Sequence, residues 1–90
     1  MRFEWDKRKA EINLRKHKVS FEEASTALDG PMAATGPDPD HSGDEFRYIT
    51  FGVSRRGRLL VIAHADREET IRIISARRAS KGEREIYEKG

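Results

Sequence analysis

The chain has 90 residues, 36% of them hydrophobic and 38% charged, with a formal charge of +2. Residues 1–90 therefore make one small domain, with a thin core that a partner burying apolar area would help. The lack of cysteine excludes disulfides and thiolate catalysis; no apolar run nears the ~18 residues of a membrane span, and MRFEWDKRKA lacks a signal peptide's apolar stretch, so a cytoplasmic protein is expected.

Arg2–Trp5 reads as a short strand. Asp6 then caps a helix to about His17, with Ala10, Leu14 and His17 on a common side and Asn13 beside them. Lys9 and Lys16 lie further round, so His17 sits between an apolar stripe and a basic flank; a packing or capping role at the helix C-terminus is the plainer alternative. Val19-Ser20 with Glu23-Ala24 gives a capping box and a staple for a second helix, ended by Asp29-Gly30-Pro31. The pair reads as a helical hairpin over one face of a sheet. Met32–Thr35 is a weak strand, and GPDPDHSGD at 36–44 a solvated loop rather than a metal or acid–base site. No close metal-ligand spacing joins His17, His41 and His64, so neither metal nor other cofactor is expected.

Three strands follow. Glu45–Val53 alternates, with Phe46 and Tyr48 on one side and Ile49, Phe51 and Val53 on the other. After a basic turn at Ser54–Gly57, the apolar run Leu59–Ala65 reads as a central strand covered on both faces. Thr70–Arg77 alternates again: Ile71, Ile73 and Ser75 on one face, Arg72, Ile74 and Ala76 on the other. Arg72 and Arg77 differ in parity, so one site takes both only if Arg77 lies past the regular strand. A second capping box, Ser80 with Glu83, opens a last helix from Lys81 to about Lys89, with Ile86 and Tyr87 its only large apolar residues. The predicted order is β-α-α-β-β-β-β-α, an α+β fold: a short N-terminal strand and helical hairpin on an antiparallel sheet, with a C-terminal helix. Charge is uneven: residues 55–90 carry ten Lys/Arg against six Asp/Glu, residues 31–54 one against four. That asymmetry suits a polyanion binder, and equally an ordinary mixed surface. Arginines at a strand end beside a helix start make a candidate anion site, with a solvated edge strand as the alternative.

The segments FEWDKRKAEINLRKHKVSFEEA (3–24), DG (29–30), PDPDH (37–41) and IRIISARRASKGEREIY (71–87) together resemble the BrnT family, toxins of type II toxin–antitoxin pairs. One departure is Lys18, where the family usually has glycine. The resemblance implies a RelE-like fold, a ribonuclease that slows translation, and a BrnA-like ribbon-helix-helix antitoxin through whose complex operator DNA is bound. Without thiol or metal, RNA can be cut by its own 2′-hydroxyl, given a base, an acid and cations for the phosphorane oxygens. Arg72 and Arg77 suit the cationic role and His17 proton transfer. Lys16, Tyr48, Arg78 and Lys81 are expected to bind RNA, and Tyr87 reads as a core anchor or a proton donor. A domain that binds RNA, ribosome or antitoxin without cleaving remains the second reading; sequence-specific DNA binding by this chain is disfavoured, as no helix-turn-helix is evident.

Overall fold

The computed structural model describes residues 2–41 and 46–90. Five strands form one sheet in the order β1-β5-β4-β3-β2: β1 (Arg2–Glu4), β2 (Ala34–Pro37), β3 (Arg47–Val53), β4 (Leu59–Arg67) and β5 (Thr70–Arg78). Strands β2 to β5 form the expected antiparallel meander, whereas β1 joins β5 in parallel, Phe3 opposite Ile71. Helices α1 (Lys7–His17) and α2 (Phe21–Leu28) pack on one face of the sheet, and α3 (Lys81–Lys89) follows β5. Of the predicted loop, 36–37 belong to β2 and Pro39–His41 to a 3-10 turn, and Asp38 is buried; the remaining predicted loop positions and the strand start at Glu45 lie outside the described residues.

The core lies between the two helices and the sheet. Val19, Phe21, Ala24 and Ala27 meet Leu60, Ile62, Ile73 and Ala76, with Trp5 edge-on to Phe21 at 6.0 Å. Burying each of the larger side chains contributes about 1.5–3 kcal/mol. Gly52 lets α2 come close, since a Cβ there would meet the Ala27 carbonyl oxygen at 2.7 Å. On α1 the predicted stripe is only partly buried: Ala10 packs against the core and His17 is half-buried, but Leu14 is about half exposed, and Asn13, expected beside the stripe, is the buried residue. Its amide donates to the Val19 and Ala76 carbonyls and accepts from the Ala76 N–H. Pairing with β1 ends at Arg72, so Asn13 takes the place of a strand partner farther along β5.

Capping follows the sequence closely but not completely. Asp6 accepts from Lys9 N–H, and both bonds of the Ser80–Glu83 box are made. The Ser20 box is only half formed: Ser20 accepts from Glu23 N–H, but the Glu23 carboxylate turns away to Arg58 and Ser54. A buried carboxylate is better compensated by a guanidinium than by one amide. Arg58 also donates to the Lys18 carbonyl, tying the β3–β4 turn to the α1–α2 link. Lys18 sits at φ 60°, a left-handed position that glycine fills without cost.

Candidate nucleic-acid interface

The face of the sheet away from α1 and α2 is set by a bulge in β5. Arg72 pairs with Ala65, Ile73 with His64, Ser75 with Ala63 and Arg77 with Val61, so Ile74 has no partner on β4. The extra residue resets the alternation. Because Val61, Ala63 and Ala65 share a face of β4, so do Arg77, Ser75 and Arg72. Arg77 thus lies within the strand rather than past it, and the two arginines nevertheless share one face. Ile71, Ile73 and Ala76 face the helices instead.

Across β4, Arg47, Ile49 and Phe51 pair with Ala65, Ala63 and Val61 and join the same face. Arg47 and Arg72 flank the small Ala65, their backbones about 10 Å apart across two strand spacings. Arg77 stands about 13 Å along the sheet from Arg72, four β4 residues away. The result is an apolar floor bordered by three guanidiniums. Arg47 makes no ion pair among the described residues. Arg72 meets Glu4 at 3.0 Å with both side chains nearly half exposed, a pair of the kind that contributes at most about 1 kcal/mol and opens readily.

Arg77 is held more firmly. Two bonds of 2.8 Å join its Nη1 and Nη2 to the Glu83 carboxylate, and Nη1 also donates to the Arg78 carbonyl. Nε–H and one hydrogen on Nη2 remain for another acceptor. The Arg77 guanidinium, and next the Ser80 backbone N–H, hold the Glu83 carboxyl at about 2, well below its usual range, and Glu83 in turn raises Arg77. The capping box that starts α3 therefore also orients a cation on the sheet.

α3 covers one corner of this face. Tyr87 stacks on Phe51 at 6.5 Å and donates to the Met32 carbonyl, which makes it an anchor, while Ile86 stays largely exposed. Between α3 and β2 lies a groove of about 600 Å³, floored by Ile49, Phe51 and Val61 and walled by Arg77, Glu83, Asp38 and Asp40.

The remaining predicted residues are elsewhere. His17 ends α1, on the opposite side of the sheet from Arg77. Asp6, at the start of α1, feels the Arg72 charge and Asn13 bonds to Ala76, so α1 runs along β5 and carries His17 to the Arg78 end. Arg78 pairs with Leu60 and shares the helix-facing side. His17 and Arg78 thus meet one rim of the sheet, far from Arg72. The half-buried His17 ring makes no hydrogen bond among the described residues. Lys16 is exposed on α1, and Lys81 is exposed at the first position of α3.

Tyr48 is on the helix-facing side too, stacked on His64 at 5.9 Å. There Asp66 accepts from His64 Nδ1 at 2.6 Å, His64 Nε2 bonds Thr50 at 2.7 Å, and Thr50 bonds Thr35 at 2.7 Å. Thr50 and His64 are buried in the middle of this chain of bonds, which surfaces at Asp66 and Thr35 and fixes the register of β2, β3 and β4. The sequence marks the face of Arg47 by its parity with Ile49 and Phe51, without singling it out; Asp38 and Asp40 read there as part of a solvated loop, and Glu83 is legible as a cap but not as the partner of Arg77. Among the described residues no group of three or more His, Cys, Asp or Glu could hold a metal ion, and no helix is long and apolar enough to cross a membrane.

The family described as "Ribonuclease toxin, BrnT, of type II toxin-antitoxin system" matches residues 5–83. The crystal structure of the Brucella abortus ribonuclease toxin BrnT superposes with a TM-score of 0.70 at 23% identity, covering 90% of this chain and 99% of that one. Curated proteins give no match. The Brucella structure shares the α+β fold, and the family match extends from Trp5 to Glu83, through α1, α2, strands β2 to β5 and the start of α3. The chain belongs to the BrnT family of ribonuclease toxins of type II toxin–antitoxin systems.

Proposed function

We propose that this chain cleaves RNA on the open sheet face by a metal-independent transfer in which the 2′-hydroxyl attacks the adjacent phosphorus and the 5′-oxygen leaves. The observation that carries this reading is the bulge at Ile74, which gathers Arg72 and Arg77 beside Arg47 on one face. An anionic strand lying there meets fixed positive charge over an apolar floor that accepts bases. Arg77, oriented by Glu83 and with two donors unused, is the cation for the phosphorane oxygens; Arg72 and Arg47 hold flanking phosphates. His17 serves as the proton-transfer group when the scissile phosphate sits at the rim by Arg78, where His17 and Arg77 approach it from opposite sides of the sheet; its ring makes no hydrogen bond among the described residues. Lys16 and Lys81 add charge at the same end, whereas Tyr48, stacked on His64 on the helix-facing side, takes no part on the open face.

Loss of RNA integrity slows translation in this reading. The partner is a BrnA-like ribbon-helix-helix antitoxin whose carboxylates cover the open face, with operator DNA bound only by the complex. The reading predicts salt-sensitive association and competition between RNA and antitoxin. Incubation of purified chain with RNA in EDTA tests the chemistry, with fragments ending in 2′,3′-cyclic phosphate expected. RNA that is bound but left intact would make the domain a non-catalytic binding module. Saturating RNA that leaves antitoxin affinity unchanged would remove the shared face.

A further inference from the structure

The groove between α3 and β2 has the wrong charge for a phosphate. Asp38, Asp40 and Glu83 line it against the single cation Arg77, so its walls carry a net charge of about −2. Its floor of Ile49, Phe51 and Val61 suits a flat apolar ring. The acidic wall is built rather than loose. Pro37 and Pro39 stiffen it, and Asp40 N–H donates to Asp38 Oδ1 at 3.0 Å. Asp38 is only 6% exposed and accepts the Asp40 N–H through Oδ1. The Asp40 carboxylate accepts no bond from the described residues.

A surface that rejects phosphate but offers carboxylate oxygens over an apolar floor recognises a base by its donors. Guanine alone among the four presents two adjacent donors, N1–H and the N2 amino group, on its Watson–Crick edge; in cytosine and adenine a ring acceptor stands beside the amino group, and in uracil two acceptors flank N3–H. We propose that this groove is a guanine subsite, with Asp40 as the principal reader and Asp38 behind it, holding one base of an RNA whose backbone lies on the arginines. The inference rests on the open face being the RNA-binding face and adds a sequence preference to it.

The test uses short 2′-O-methyl oligonucleotides, which cannot undergo 2′-hydroxyl attack, so binding is read without cleavage. Each carries a single guanine, inosine or adenine in a uridine run, and affinity is followed by fluorescence anisotropy. Guanine is expected to bind about tenfold tighter than adenine, and inosine, lacking the amino group, in between. D40N is expected to level the three. D38N, which keeps the oxygen that accepts from Asp40 N–H, is expected to reduce the spread, and unchanged far-ultraviolet spectra confirm folding of both. Equal affinities for the wild-type chain would overturn the subsite, as would a guanine preference that survives both substitutions. Binding of none of the oligonucleotides would remove both the face and the subsite. Guanine preference in a chain that leaves natural RNA uncut would support the subsite while refuting the ribonuclease reading.

Discussion

Asn13→Ala is the most informative single change to the scaffold. Asn13 is 6% exposed, and its amide serves three backbone groups: the Val19 carbonyl at 2.9 Å, the Ala76 carbonyl at 2.8 Å and the Ala76 N–H at 3.1 Å. Alanine leaves all three without a partner, and each buried unsatisfied group costs about 1–3 kcal/mol. Water entering the vacated space would recover part of this, so a loss of about 3 kcal/mol is expected. For a domain of this size that lowers the melting temperature by about 12–24 °C. Asn13→Asp should do at least as much harm, because it points a carboxylate at two carbonyls and donates to neither. Circular dichroism melts and urea titrations with unchanged slope would measure the effect. A melting temperature within about 4 °C of the wild type would refute the reasoning, showing that α1 is not registered on β5 through this amide.

Three further outcomes follow from individual residues. Lys18→Gly removes a left-handed non-glycine residue and should stabilise the domain by about 0.5–1 kcal/mol in urea; destabilisation would mean the φ of 60° is not strained. Ser80→Ala should cost about 1 kcal/mol and affect RNA cleavage only through Glu83, and equal stability to wild type would undo the cap as a source of α3 stability. Glu83 has its folded pKa depressed from 4.5 to about 2, so its contribution is present above pH 4.5 and is lost as pH falls toward 2. Its carboxylate is 28% exposed and its partner 44%, so solvent screening limits that contribution to about 1 kcal/mol. The stability gap between wild type and Glu83→Gln should close across that window, and a gap constant with pH would contradict the assignment.

Much of the scaffold is legible in the residues because its signals are local. Asp6, Ser20 and Ser80 mark helix starts, and the turn at Ser54–Gly57 and the run from Leu59 show the meander. What escapes the sequence depends on tertiary partners. No glycine or proline marks the bulge at Ile74; it is visible only as a skipped partner on β4, yet it reverses the face of Ser75, Ala76 and Arg77. Glu23 reads as half of a capping box until Arg58, 35 positions away, takes its carboxylate. Asn13 sits beside an apolar stripe in the sequence, and its burial follows from where β1 ends. At the candidate site, Arg72 and Arg77 were visible as charges among isoleucines, whereas Arg47 enters through cross-strand register. Tyr48 goes to the helix-facing side through the ordinary alternation of β3.

The central claim is that guanidiniums on the open face serve RNA cleavage, and Arg77→Ala tests it most directly. Wild-type chain and the variant, both in EDTA, would be incubated with the same end-labelled RNA, and the rate of appearance of 2′,3′-cyclic ends compared. The account predicts cleavage by the wild type and a loss of about 100-fold or more in the variant, with a melting temperature within a few degrees because the Arg77–Glu83 pair is largely a surface pair. Cleavage by Arg77→Ala at the wild-type rate would contradict it.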